Sequence, residues 1–297
     1  MTSTRLPPRA LALLVLLTLV WGTNWPLFPV AMREISVWTF RAITLASGGV
    51  LLLAFARARG HVLAVPRADW PVLVISSWVY LMVWNLASGY SAITIPSGQT
   101  AVVGFTMPLW SALISWAVLG ERLSGRLVLA MSAGGAAVLL LMIPGFGAYA
   151  DAPSGFAAAL VGALGWAIGT LLFKRRRIAA SATVVTAWQI LLAAVPISLG
   201  ALLLGDHAWF VPSWQSLAAI AYITLIPLCL GNVCWFVLVD LLPANVAGLS
   251  SVMIPVVAMI SGAVVHDEPL GALQWLAMAC SASALWLAMP RAAARRA

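Results

Sequence analysis

Asn85 to Glu121 reads NLASGYSAITIPSGQTAVVGFTMPLWSALISWAVLGE, and 147 positions further on Asn232 to Glu268 reads NVCWFVLVDLLPANVAGLSSVMIPVVAMISGAVVHDE. At that single offset Asn85 pairs with Asn232, Pro96 with Pro243, Pro108 with Pro255 and Glu121 with Glu268, without a gap. Identities among Ala, Leu and Val would mean little in this chain, but Asn occurs only four times and Glu three times, so their shared spacing with two prolines indicates duplication. A fainter echo, Trp21 and Phe28 against Trp166 and Phe173 at an offset of 145, extends the same pairing towards the start of each copy. The chain therefore reads as two copies of one unit, residues 1–147 and 148–297, fused into one integrated domain.

Composition sets the environment of that unit. Hydrophobic residues make up 63% of the chain and charged residues 8%, in apolar runs about as long as a bilayer is thick. Such a chain is an all-α polytopic membrane protein, because only helices or closed barrels satisfy every backbone group in lipid. Of its 297 residues, too few lie in polar intervals to build a separate soluble domain. The net charge of +8 does not indicate a nucleic-acid partner, since the cations sit in short loops between apolar runs and report topology. Cys229, Cys234 and Cys280 lie inside apolar runs without CxxC spacing, so they read as small buried hydrophobes and not as metal or disulfide cysteines.

Ten membrane-spanning helices are predicted: Ala10 to Ala31, Val37 to Ala56, Pro71 to Gly89, Pro96 to Leu119, Ser124 to Ile143, Pro153 to Phe173, Thr183 to Leu204, Ser216 to Val239, Ala244 to Val265, and Gly271 to Met289. The first follows Arg5 and Arg9 as a signal peptide would, but it lacks a small-residue cleavage site and is expected to be retained. With ten spans, fourteen Lys and Arg fall on the side of the N-terminus and only Arg33 and Arg41 on the other, which places both termini in the cytoplasm. The run Phe173 to Arg177, FKRRR, is the strongest marker of that side. Five spans per copy make the second copy enter the membrane from the opposite face. The two five-helix repeats are thus inverted, and a cavity at their junction lies near the bilayer midplane.

Trp21-Gly22 closing the first span, then Pro96, Pro108 and Leu119-Gly120-Glu121-Arg122-Leu123, resemble the EamA family of the drug/metabolite transporter superfamily. The second copy carries an altered version, Pro243, Pro255 and His266-Asp267-Glu268-Pro269-Leu270, so no role of Arg122 passes to it. The resemblance covers essentially the whole chain, and within the family the tryptophan-rich sequence is most similar to the bacterial aromatic amino-acid exporters. It implies ten spans, a bacterial inner-membrane location, and export of amino acids or related metabolites. The alternative within the superfamily is a multidrug or other small-metabolite exporter, for nucleosides or cations.

Polar groups inside apolar spans are costly and need a partner or a wet cavity, which makes them the site candidates. Asn85 and Asn232 read either as hydrogen bonds between the copies or as substrate contacts, and Gln189, which has no twin, as a ligand contact. Tyr80 and Trp84 share a helical face. With Trp166, at the position matching Trp21, and Tyr222 within its span, they form a candidate surface for a flat substrate. Arg41 lies one turn into its span and is expected to snorkel to the outer headgroups. Pro108 and Pro255 are predicted to kink their helices mid-span and to serve gating, freeing carbonyls near Gly104 and Ser251. Ala130 and Gly134, matched by Ala277 and Ser281, read as close helix contacts.

No catalytic, metal or cofactor set is expected. His61, His207 and His266 fall in loops or at span ends without an HExxH motif, which argues against an intramembrane hydrolase, and a channel's charge ring or carbonyl filter is missing. The expected partners are a small-molecule substrate, an aromatic amino acid or similar, and the lipid bilayer, with the protein as a monomer. All eight carboxylates fall in loops or at span ends. The expected carrier is therefore a facilitator that needs no intramembrane proton site, with Glu121 and Asp240 the first exceptions to test.

Overall fold

Serine starts four of the long helices. The hydroxyls of Ser36, Ser124, Ser181 and Ser213 accept from the backbone N–H three residues on, which satisfies one of the donors a helix start leaves without a partner. Gly120 ends another in the left-handed region, φ 66°, the usual helix stop for a residue without Cβ. The computed structural model describes residues 8–120, 123–175, 178–206, 211–242, 253–266 and 270–288. The expected motif residues Glu121, Arg122, Pro243, Asp267, Glu268 and Pro269 lie outside these.

The helices are, in order, α1 (Pro8–Gly22), α2 (Phe28–Ala31), α3 (Val37–Ala58), α4 (Trp70–Ser77), α5 (Val83–Thr94), α6 (Ser97–Gly104), α7 (Met107–Leu119), α8 (Gly125–Met142), α9 (Phe146–Asp151), α10 (Pro153–Arg175), α11 (Ala182–Leu204), α12 (Trp214–Ile223), α13 (Asn232–Leu241), α14 (Ile254–His266) and α15 (Ala272–Ala288). Short 3-10 turns precede α2 and α4. Among the described residues there is no strand, and eight helical stretches are long and apolar enough to cross a membrane. The last two of the ten expected spans are represented by α14 and α15, with 13 and 17 described residues. Large apolar side chains such as Leu129, Leu139, Leu199, Leu202 and Trp286 stay exposed on the outside of the bundle. In water such a surface would aggregate; in lipid it is the solvated face. This is a multi-pass membrane protein.

The packing repeats when elements of the first half are exchanged for those of the second. α3 packs along α11 and α8 along α15; α10 packs against α5 and α7, while α1 packs against α13 and α14. Small residues make the close contacts: Ala130, Gly134, Ala277 and Ser281 are all buried along the α8–α15 pair, as their spacing predicts.

Two kinds of irregularity also recur. A π-helical segment joins α4 to α5 at Trp78–Met82, and another joins α12 to α13 at Thr224–Gly231. Pro108 and Pro255 are each the second residue of a helix, α7 and α14. The mid-span kink expected at Pro108 is therefore a break. α6 stops at Gly104, Phe105 and Thr106 form a turn, and α7 starts afresh with proline in its first turn, where a missing N–H costs nothing.

Candidate functional site

Elements of both halves converge on one cleft. It encloses about 550 Å³ of empty space, its open mouth included, between α1, the turn before α2, α3, α5, the α6–α7 break, α10 and the second π segment. Its walls are aromatic: Trp21, Trp25, Phe28, Trp84, Phe105 and Trp166. Its polar groups are Asn24, Arg41, Asn85, Ser88 and Asn232. Trp166 is the hub, edge-on to Trp21 at 5.1 Å, to Trp84 at 4.9 Å and to Tyr80 at 4.2 Å between ring centroids. Such edge-to-face pairs add to area burial and hold the rings at fixed angles. Glycines let them close in: a Cβ on Gly104 would sit 2.9 Å from the Trp84 ring, and one on Gly169 would meet the backbone of Tyr80.

The two asparagines that identify the repeat have matching geometry. Asn85 Nδ2 donates to Leu81 O at 2.8 Å and Asn232 Nδ2 to Leu228 O at 2.8 Å, each taking up a carbonyl inside the neighbouring π segment. A widened turn interrupts the α-helical ladder and re-aims the residues after it, which brings both amides to the cleft. Asn232 Oδ1 accepts from the Tyr80 hydroxyl at 3.1 Å, a bond between the two halves. Trp21 Nε1 makes another, to Pro227 O at 2.9 Å.

Four of the seven predicted substrate residues, Trp84, Asn85, Trp166 and Asn232, line this cleft. Three do not. Tyr80 is buried behind Trp166 and serves the wall. Gln189 is fully buried between α11 and α4, with its Nε2 3.4 Å from Ser76 Oγ and its Oε1 without a partner among the described residues. Tyr222 bonds Thr23 through its hydroxyl at 2.9 Å, outside the cleft. Each has the right chemistry on a face turned elsewhere, which residue type does not reveal. Pro108 and Pro255 lie outside the lining as well, although Met107 and Phe105 beside Pro108 belong to it.

The snorkelling expected of Arg41 is overturned. Its side chain is only 4% exposed, with its guanidinium carbon 4.6 Å from the Phe28 ring and 5.1 Å from the Phe40 ring. Nε donates to Asn85 O at 3.0 Å and Nη2 to Ser88 Oγ at 3.3 Å. The short α2 folds Phe28 over the end of α3, and Gly89 lets α5 approach α3 closely, since a Cβ there would meet the Val37 side chain at 2.6 Å. A cation inside a span that is buried by the protein, and does not reach the headgroups, marks function by default. That rule was available from sequence; the covering turn was not.

A helical bundle with a lipid-facing exterior and a central aromatic cleft shared by both halves defines the protein as a membrane transporter. The profile of the EamA-like transporter family matches residues 8–143 and again 153–289. The chain belongs to that family, within the drug/metabolite transporter superfamily. It is 29% identical over 167 residues to the "Uncharacterized transporter YvbV" of Bacillus subtilis, a match covering 56% of this chain and 54% of that relative. It is 24% identical over 269 residues to the "Uncharacterized inner membrane transporter YedA" of Escherichia coli K12, covering 88% and 84%. The chain thus spans about half of the first relative and most of the second. A solved crystal structure superposes with a TM-score of 0.76 at 23% identity, over 94% of this chain and 96% of its own, and so shares the fold.

Proposed function

We propose that the protein exports amino acids, aromatic ones above all, from a bacterial cell by alternating access at the cleft between two inverted five-helix repeats. The single observation that carries this reading is the cleft's lining: Trp84 and Trp166, one from each half, stand 4.9 Å apart beside the paired amides Asn85 and Asn232. Rings offer a flat side chain edge and face contacts, and amides offer hydrogen bonds that do not depend on charge. The exchange of packing partners between halves supports ten spans, and the Lys and Arg count supports cytoplasmic termini in an inner membrane. Rocking one half on the other would then expose the cleft to either side in turn, with the break ahead of Pro108 as a hinge. The protein acts as a monomer without cofactor or metal, and as a carrier rather than an enzyme.

Energy coupling follows from where the carboxylates lie. Among the described residues the carboxylates Glu34, Asp69, Asp151, Asp206 and Asp240 sit in loops or near helix ends, none of them on the cleft. The carrier then moves substrate down its own gradient by a shift between inward-open and outward-open populations. The test is a panel of amino acids assayed for uptake and counterflow in liposomes containing only this protein. Counterflow of Phe, Tyr or Trp, unchanged by an imposed pH gradient, is the expected result. Transport of small aliphatic amino acids alone would overturn the substrate class, and uphill accumulation driven by the pH gradient would overturn the coupling.

A further inference from the structure

We infer that Arg41 is the carboxylate-binding residue of the cleft, so that the transported species carries an anionic group which becomes the counter-charge of a buried cation. The inference deepens the aromatic amino-acid reading and rests on it for the identity of the rest of the ligand. Arg41 is the one charged residue among the cleft's described lining. It is nine-tenths buried, and both of its hydrogen-bond partners, Asn85 O and Ser88 Oγ, are neutral. A guanidinium has five N–H donors. Two are used here, and Nη1 makes no bond among the described residues.

The rings of Phe28 and Phe40 flank the guanidinium, giving a cation–π contact that tolerates burial without neutralising charge. The bonds to Asn85 and Ser88 fix the fork's orientation, so that less entropy is lost when its free edge meets a carboxylate in bidentate fashion. Other bonding capacity on the cleft is also unspent: Asn24 Oδ1 and Trp166 Nε1 are buried without partners among the described residues. Buried polar atoms are normally paired, so a lining that keeps these two free, beside the open edge of Arg41, suits a polar ligand between aromatic walls. A purely structural tether from α3 to α5 would need only one neutral donor. It would not need a buried charge.

The test uses the purified full-length protein in detergent and three probes of one skeleton: L-phenylalanine, 3-phenylpropanoate, which lacks the amine, and phenethylamine, which lacks the carboxylate. Binding is measured by calorimetry and by quenching of tryptophan fluorescence. Wild type should bind both carboxylates at least about tenfold more tightly than phenethylamine, and Arg41→Gln should erase that preference while Arg41→Lys keeps part of it. Phenethylamine binding as well as 3-phenylpropanoate, a preference that survives Arg41→Gln, or no binding of any carboxylate would each overturn the inference. Should Arg41→Gln not fold, judged by its elution and melting profile, the wild-type ratio and Arg41→Lys decide. Butanoate separates the two readings. If it binds in an Arg41-dependent way as tightly as 3-phenylpropanoate, the aromatic reading falls and Arg41 stands; if the phenyl probes bind without regard to carboxylate, Arg41 falls and the aromatic reading stands.

Discussion

At the scale of single residues, position in the cleft separates groups of the same type. Trp84 lines the cleft and touches Trp25, Phe105 and Trp166. Trp84→Ala should weaken transport of Phe, Tyr or Trp about tenfold while leaving a small aliphatic amino acid nearly unaffected, as competition uptake in liposomes would measure. Gly104→Ala should act in the same direction, because its Cβ would sit 2.9 Å from the Trp84 ring and push it aside. Equal loss for both substrate types would assign Trp84 to packing alone. Gln189 is the contrasting case, a buried amide with an unpaired oxygen away from the cleft. Gln189→Met keeps the volume and removes a half-satisfied polar group, so transport should stay within about twofold and the thermal midpoint should hold or rise.

At the scale of elements, the irregular segments set the site. Pro108 starts α7 and does not bend a continuous helix, so Pro108→Ala should cost less than about 1 kcal/mol of stability in denaturant titration. A kinked continuous helix would instead straighten and lose the cleft lining at Phe105 and Met107. The loops at one end of the bundle are pinned by two carboxylates. Glu34 accepts from the Ser213 amide at 2.9 Å, which holds its carboxyl below the ordinary range, with the Ser216 and Ser213 hydroxyls adding to it. Partial burial pushes Asp206 up, but the Ser36 amide at 2.8 Å and the Thr39 hydroxyl outweigh that and lower it overall. Groups depressed on folding stabilise above their unfolded pKa, and that contribution is lost as pH falls through the folded one. The melting midpoint should therefore be flat from neutral pH to about 5 and fall below about 4. The Glu34→Gln, Asp206→Asn double variant should fall less steeply; the contribution is small, because both groups are largely solvated.

At the scale of the whole molecule, the packing is exchanged between the halves: α3 meets its counterpart α11 and α8 its counterpart α15, while α10 meets α5 and α7 as α1 meets α13 and α14. Ten spans with cytoplasmic termini follow if the fourteen-to-two division of Lys and Arg marks the membrane sides. A reporter fused after Arg177 should behave as cytoplasmic and one inserted near Asp206 as external. Both on one side would end the inverted arrangement. The sequence by itself determined the lipid environment, the helical class, the repeat read from Asn85 and Asn232, and the family, because hydropathy, charge and proline spacing are linear quantities. It also carried four of the cleft's lining residues, since amides inside apolar spans are few and the repeat and a shared helical face single out Trp166 and Trp84. Only the tertiary structure decided that Arg41 turns inward, that Gln189 and Tyr222 turn away, and that Pro108 begins a helix. The physical reason is that a side chain's surroundings depend on what packs across from it. Phe28 and Asn85, 13 and 44 positions from Arg41 along the chain, fix its orientation in space and not through their spacing in the sequence.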